Sequence, residues 1–376
     1  MQEFDLVFVI SNFEFFKSHR RSLILFLSNS NKKIALITNL SRADQQDIEQ
    51  LKKKNISLFD YHLNRSSIGI VTNILDVFSL YKILSKIKFR KLTLISSKPI
   101  VLGSFCSLFL NIDKIFIIIS GLGYAFISKS LKAKSTKLIV LMIYKVIFFK
   151  KDIKVVFQNE DDLNYFLSKR IVSKNKTKII RGNGVDTNKF KRKEYPGKLT
   201  FLFASRLLID KGIREYIEAA TSFSNENASF IIAGDIDEEN PNSLKASELN
   251  KIQELSGIEY MGKVPYSDMQ ELFNKAHIFV LPSYREGLPQ AALEAGACSM
   301  PLIVTDVNGC RDCIINGETG FLVNLKDAQD IKEKMNFFIK NTHVIEKMGN
   351  KSREYINDKF SEDKIHKQFL SMYQED

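Results

Sequence analysis

The sequence predicts an α/β protein made of two Rossmann-like domains, each a parallel sheet covered by helices on both faces. Three observations point there. Short continuous runs of aliphatic and β-branched residues alternate with helix-like stretches, the pattern of strands buried on both sides in a parallel sheet. These runs form two series, separated by "RGNGVDTNKFKRKEYPGK" (Arg181 to Lys198), a join rich in Gly, Asn and Lys with one Pro. The chain has 376 residues, comfortable for two domains of about 150–200 residues and too long for one ordinary core.

The first series places strands at "LVFVI" (6–10), "KIALIT" (33–38), "LTLISS" (92–97), "KIFIIIS" (114–120) and "IKVVFQ" (153–158). The second places them at "LTFLFAS" (199–205), "SFIIAG" (229–234), "IEYMG" (258–262), "HIFVLPS" (277–283), "PLIVTD" (301–306) and "GFLV" (320–323). The expected domains are therefore 1–182 and 183–357, with a terminal amphipathic helix at about 358–376. "SDMQ" (Ser267 to Gln270) reads as a capping box for a helix running to about Ala276. "NGETG" (Asn316 to Gly320) reads as a turn into the strand that follows. There is no short internal repeat and no low-complexity tract.

Composition is ordinary for a soluble globular protein, 44% hydrophobic and 26% charged. The net charge of +12 is unevenly spread. Residues 1–180 hold 30 Lys and Arg against 13 acids, whereas 181–376 hold 25 against 30. A first half of net +17 implies an anionic partner, a membrane or a nucleic acid. "MQEFDLVFVIS" carries acids where a signal peptide carries bases. The longest apolar runs, Ile115 to Phe126 and Leu138 to Phe149, fall short of the ~18–20 residues of a spanning helix. A cytoplasmic chain is expected. Cys310 and Cys313 form a C-x-x-C, but no second pair or histidine stands at zinc-ligand spacing, so Cys106, Cys298, Cys310 and Cys313 read as reduced thiols.

The chemistry concentrates in "SYREGLPQAALEAGA", Ser283 to Ala297. In an open parallel sheet, ligands bind beyond the carboxyl ends of the strands, and this stretch follows the strand "HIFVLPS". Pro289 suits a first helical turn. The cap position then falls on Leu288, which offers no capping oxygen, and Gly287 permits close approach to the backbone. Uncapped N–H groups at the positive end of a helix dipole make an anion site. Glu286 before the helix and Glu294 within it are acceptors suited to sugar hydroxyls. Across about one to two turns they can grip the two ends of an extended ligand. A sugar nucleotide has that form. "FLFASRLLIDKGI" repeats strand, loop and helix, and sets Arg206 and Lys211 where both can reach a diphosphate.

With these residues in view, the chain resembles the retaining glycosyltransferases of family 4. "EGLPQAALEA", "SRLLIDKG", "GNGVD" and "TDVNGCRDCIINGETGFLV" carry the resemblance across nearly the whole second half. In the first half, "SHR" (Ser18 to Arg20) and "GLGYAF" (Gly121 to Phe126) are similar to the branch that builds bacterial O-antigens, capsules and lipid-linked oligosaccharides. The resemblance implies the GT-B fold, two Rossmann-like domains facing across a cleft, with the C-terminal helix crossing back onto the first. It implies that Arg206 and Lys211 hold the diphosphate, Glu286 the donor sugar and Glu294 the ribose. The Gly287, Leu288 and Pro289 backbone would line the pocket. His19, Gly121, Gly123 and Asn183 are further candidate substrate contacts. Where many relatives carry histidines, this chain has Ser96, Ser97 and Ser120.

The implied reaction moves a sugar, an N-acetylhexosamine carried on UDP, to a hydroxyl of a saccharide on a polyprenyl diphosphate, with retention at the anomeric carbon. Front-face attack is implied, the leaving phosphate taking the acceptor proton. No cofactor is expected. Asp235-x-Asp237 resembles a metal-holding pair, but Arg206 and Lys211 already supply positive charge, and metal independence is expected. Lys129 to Lys151 is the candidate contact with an anionic membrane at the inner face of the cell membrane, the alternative being a buried helix with lysines at its ends. Two other readings compete: a sugar-nucleotide epimerase, which would turn over donor without acceptor, and a nucleic-acid-binding protein. No nucleic-acid-binding signature is present to support the latter.

Overall fold

The computed structural model describes residues 2–61, 70–120, 131–149, 152–223, 228–237, 240 and 242–375, with backbone only at 70–73 and 131–137. The chain divides into two compact units, Met1–Asn183 with His366–Asp376, and Gly184–Ile365.

In the first unit seven parallel strands are ordered β3-β2-β1-β4-β5-β6-β7. They are β1 (Gln2–Ile10), β2 (Ile34–Thr38), β3 (Ile56–Asp60), β4 (Ile87–Ile95), β5 (Lys114–Ile119), β6 (Ile153–Phe157) and β7 (Thr177–Ile179). The helices between them are α1 (Phe13–His19), α2 (Arg21–Asn29), α3 (Gln45–Lys53), α4 (Ile70–Leu84), α5 (Ser97–Cys106), α6 (Leu131–Phe148) and α7 (Glu160–Ser168). Every residue of β2 is buried, as expected of a strand covered on both faces. The edge strands β3 and β7 were not expected. β3 "ISLFD" is half-exposed and ends on an acid, and β7 has three residues, so neither shows the continuous apolar run of a central strand.

The second unit has six parallel strands ordered β10-β9-β8-β11-β12-β13. They are β8 (Leu199–Ala204), β9 (Ala228–Ala233), β10 (Ile258–Tyr260), β11 (Ile278–Leu281), β12 (Leu302–Thr305) and β13 (Gly320–Val323). Its helices are α8 (Ile213–Thr221), α9 (Ala246–Gln253), α10 (Met269–Asn274), α11 (Gln290–Ala297), α12 (Ala328–Lys340) and α13 (Ile345–Phe360). The last helix, α14 (Glu362–Gln374), belongs to the first unit from His366 on. The terminal helix is thus shorter than the stretch 358–376, because Ser361, extended at φ −60 and ψ 140, breaks it from α13.

The capping box at Ser267 does not form. α10 starts at Met269 without a side-chain cap, and Ser267 Oγ donates to Asp268 instead (2.7 Å). Gln270 is engaged elsewhere: its carbonyl oxygen accepts from the Lys191 N–H (3.1 Å) and its amide donates to the Lys191 carbonyl, tying the 187–198 segment to the second unit. Arg353 holds the same segment through the carbonyls of Thr187 and Phe190 (each 2.8 Å). All four cysteines are free and buried, and burial pushes the Cys310 and Cys313 thiols well above their ordinary range. Among the described residues, no helix is long and apolar enough to cross a membrane.

Candidate active site

The second sheet reverses its order between β8 and β11, with β9 and β10 on one side of that pair and β12 and β13 on the other. Loops leaving the carboxyl ends of β8 and β11 therefore diverge, and the crevice at such a switch point is where open α/β sheets bind ligands. The β8 loop carries Arg206 and Lys211, and the β11 loop carries Glu286 to Pro289.

The two loops meet in a charge pair. Lys211 Nζ donates to Glu286 Oε1 (2.5 Å), and Ser283 Oγ donates to the same oxygen (2.9 Å). Both side chains are largely enclosed, Lys211 at 18% and Glu286 at 11% exposure. Two glycines allow this approach. A Cβ on Gly212, at φ +74, would lie 2.1 Å from the Pro282 carbonyl oxygen. One on Gly309, at φ +79 in the β12 loop, would lie 2.5 Å from the Glu286 carbonyl oxygen. The backbone of Glu286 is also tied to that loop through its N–H to the Asn308 carbonyl (3.2 Å).

Arg206 shares the neighbourhood but turns to another partner. Its Nη1 donates to Asp237 Oδ2 (2.7 Å), in the loop after β9, and it is 58% exposed. The charges of Lys211, Glu286 and Arg206 all act on Asp210, whose carboxyl burial pushes above the usual range. One Asp210 oxygen is buried with no hydrogen-bond partner. Asp210 is an addition to the site as read from sequence, and Asp237, there half of a metal-like pair with Asp235, is instead the partner of Arg206. The local signal for Asp210 is its position beside Lys211 in "LLIDKG".

α11 starts one residue later than expected. Pro289, extended at φ −75 and ψ 104, is the N-cap in place of Leu288, and no side chain caps the first turn. Pro289 fits here because its ring holds φ near this value. Pro289 is buried, Leu288 packs against the core, and the Gly287 carbonyl lies under Gly309. Glu294, in the second turn, is 2% exposed. It accepts from Tyr266 Oη and Gln290 Nε2 (each 3.1 Å). Burial pushes its carboxyl up to about 7, against the pull of those hydrogen bonds and of Lys189. Lys189 Nζ stands 4.1 Å from the centre of the Tyr266 ring. Gln290 Nε2 also donates to the Gly184 carbonyl (3.0 Å). Tyr266, Gln290 and Lys189 are additions to the site as read from sequence.

The remaining expected contacts belong to the first unit. His19 ends α1, its Nδ1 2.6 Å from Ser18 Oγ and its ring stacked on Phe15 at 4.6 Å. Asn183, the last residue of that unit, is buried at 7% exposure with an unpartnered Oδ1. Gly121 and Gly123 lie outside the described residues. Beside His19, the Arg20 guanidinium is buried at 1% exposure, with Nη2 3.4 Å from Ser120 Oγ and its Nε and Nη1 without partners. Burial pulls it down to about 10. As for a metal, Asp237 is committed to Arg206, and no cluster of three or more His, Cys, Asp or Glu suited to an ion occurs among the described residues.

The chain is similar to known glycosyl transferases. Residues 184–355 match the family model for glycosyl transferases group 1. The N,N'-diacetylbacillosaminyl-diphospho-undecaprenol alpha-1,3-N-acetylgalactosaminyltransferase of Campylobacter jejuni is 28% identical over 305 residues, 77% of this chain and 78% of the relative. The UDP-Gal:alpha-D-GlcNAc-diphosphoundecaprenol alpha-1,3-galactosyltransferase of Escherichia coli is 27% identical over 315 residues, 76% of this chain and 78% of the relative. Among solved structures, sucrose-phosphate synthase from Thermosynechococcus elongatus aligns with a TM-score of 0.83 at 17% identity, over 100% of this chain and 98% of that one. Anabaena HepE in complex with UDP and glucose aligns with a TM-score of 0.75 at 14% identity, over 99% of both. With the group 1 match on the unit that holds the Lys211–Glu286 pair, and the fold shared along its length, the chain is a glycosyltransferase of GT-B fold whose second unit matches the group 1 model.

Proposed function

We propose that this glycosyltransferase moves an N-acetylhexosamine from UDP to a hydroxyl of a saccharide carried on polyprenyl diphosphate, with retention and without a metal. It does so while peripherally associated with the inner face of the cell membrane. The observation that carries the reading is the Lys211–Glu286 pair at the switch point of the second sheet, beside the uncapped start of α11. The sugar class is supported by the activity named for the Campylobacter relative, and the nucleotide by that named for the one from E. coli.

Each side chain has a role in this reading. Lys211, Arg206 and the first-turn N–H groups of α11 stabilise the diphosphate as negative charge grows on it. Preorganised charge placed where charge develops is commonly the largest catalytic contribution. Glu286, oriented by Lys211 and Ser283, accepts from donor-sugar hydroxyls. Glu294, oriented by Tyr266 and Gln290, accepts from the ribose. The bond from the anomeric carbon to the phosphate oxygen breaks as the acceptor oxygen bonds that carbon on the same face. The acceptor proton passes to the departing phosphate, leaving UDP and the new glycoside.

The test is incubation of the full chain with UDP-N-acetylhexosamines and a polyprenyl-diphosphate-linked saccharide, in chelator. NMR of the product should show the anomeric configuration of the donor. Glu286→Ala and Arg206→Ala should weaken turnover, and a polynucleotide should not compete. Donor consumption without acceptor, full turnover in both variants, or strict dependence on an added divalent cation would each overturn part of the reading.

A further inference from the structure

We propose that the outward faces of α4, α5 and α6 form one surface that lies on an anionic lipid bilayer. Its apolar side chains enter the headgroup boundary while its lysines stay among the headgroups. The proposal deepens the membrane association in the reading above, from which the choice of a lipid partner follows, and it assigns that association a face.

The outward stripe of α6 is apolar. Leu138, Ile139, Met142, Val146 and Phe149 are 55%, 57%, 55%, 76% and 88% exposed. With Lys145 they recur at the three- and four-residue spacing of one helical face. Tyr144 and Phe148, on the opposite face, are buried. α4 repeats the arrangement: Ile74, Leu75 and Phe78 face outward with Lys82, while Leu80 and Leu84 are buried. Phe105 on α5 and Leu108 and Phe109 just beyond it are exposed as well.

The helices lie side by side. Cys106 Sγ donates to the Val77 carbonyl (3.5 Å), the Tyr81 and Phe109 rings stand 6.4 Å apart, and Tyr144 hydrogen-bonds Ser97. Lys176 holds the end of α6 through the carbonyls of Phe148 (2.9 Å) and Phe149 (3.2 Å). By contrast, the large exposed apolar side chains described in the second unit are Tyr266, Ile315, Leu325 and Phe337. Solvated surfaces seldom carry so continuous an apolar patch without a partner.

Charge selects the partner. Residues 70–151 contain fourteen Lys and Arg and two acids, Asp76 and Asp113. Asp76 is paired with Lys98 (2.9 Å) and Asp113 with Arg90 (3.7 Å). A cationic rim around an apolar stripe complements anionic headgroups above an acyl layer. A second copy of the chain would fit poorly, because a two-fold interface sets two faces of the same positive sign against each other. No described helix is long and apolar enough to span, so α6, of 18 residues and about 27 Å in length, lies in the plane of the interface.

Flotation of the full chain with vesicles tests this. Wild type should bind phosphatidylcholine–phosphatidylglycerol vesicles far better than phosphatidylcholine alone, and part of the binding should survive high salt, because apolar insertion is not screened. Met142→Glu/Val146→Glu should lower partitioning at least tenfold at every salt concentration. Lys82→Glu/Lys145→Glu should lower it at low salt and converge on wild type at high salt. Phe149→Glu is a second apolar variant should the first pair fold poorly, as judged by circular dichroism. Transfer to a water-soluble acceptor analogue should be unchanged in all variants. Absence of transfer in wild type itself would count against the enzymatic reading and leave the vesicle result standing. The proposal is overturned if wild type stays unbound to both vesicle types, if the glutamate variants bind like wild type, or if light scattering shows a wild-type dimer that Met142→Glu/Val146→Glu dissociates.

Discussion

Lys211 fixes Glu286, and Asp237 engages Arg206, so the two cations of the site differ in how freely they can meet a diphosphate. Lys211 is enclosed and its pairing orients the carboxylate, so Lys211→Ala should cost both leaving-group stabilisation and the placement of Glu286. Loss of one preorganised donor of this kind lowers kcat by about 10²–10³-fold, and kcat/KM for transfer is the measurement. Arg206 is half-exposed and its ion pair with Asp237 is weak, of order 1 kcal/mol or less. Asp237 competes with phosphate oxygens for the guanidinium. Asp237→Asn should therefore tighten UDP binding by no more than about fivefold, whereas Arg206→Ala loosens it, as titration calorimetry would show. Glu294 gives a pH signature. Burial raises its carboxyl from 4.5 to about 7, so between those values the folded chain holds a proton that the unfolded chain releases. Stability from this group is complete below 4.5 and is lost as pH rises through about 7. Relative to Glu294→Gln, wild type should lose on the order of 3 kcal/mol across that window, and urea titrations at each pH would show it. Donor affinity should move the other way, improving as the carboxylate forms, and should be flat with pH in Glu294→Gln.

At the scale of elements, the site depends on three loops being held at contact distance by glycine. Gly309 is the sharpest case. Any Cβ there would press on the carbonyls of Glu286 and Gly287 (2.5 and 2.6 Å), at a φ of +79 that side chains rarely adopt. Gly309→Ala should lower stability by about 1–3 kcal/mol and should weaken transfer through displacement of Glu286. A melting curve and a kcat measurement on the same preparation check both, and an unchanged kcat would mean that Glu286 is held in some other way. These elements also mark how far the sequence could be read. The buried strands were legible because each is a continuous apolar run, and α11 was legible because Gly287, Pro289 and Glu294 are close in sequence. β3 and β7 were not, since an edge strand needs no such run. The partners Tyr266 and Gln290, and the pairing of Asp237 with Arg206, were not legible because folding alone sets them beside Glu294 and Arg206. Tyr266 stands 28 residues from Glu294 and Asp237 stands 31 from Arg206, while Gln290 sits among ordinary helix formers.

For the whole molecule, the division into two units, each with its own core, gives the C-terminal segment a defined role. The chain completes the second unit at Ile365 and then returns α14 to the first. Tyr373 anchors it: it is 3% exposed, Thr93 Oγ1 donates to its hydroxyl (3.1 Å), and Lys91 Nζ donates to its carbonyl (2.6 Å). The rings of Phe8 and Phe116 meet it edge-on, with centroids at 6.0 and 4.7 Å. Lys114 and Lys178 hold Glu375 beyond it through its carbonyl (2.8 Å) and carboxylate (2.6 Å). Deleting a buried aromatic side chain costs about 3–5 kcal/mol, and here the loss falls on the first unit, since β1, β4, β5 and Phe369 of α14 carry the ring and hydroxyl contacts. Tyr373→Ala should therefore weaken hydrogen-exchange protection in β1, β4 and β5 while leaving β8, β11 and β12 as in wild type. UDP binding, which the reading above assigns to residues of the second unit, should persist under conditions where the first unit has begun to open. Equal loss of protection in both sheets would show that the two cores do not fold as separate units, and the roles assigned to Lys211 and Glu286 would then have to be tested in a chain whose first unit is intact.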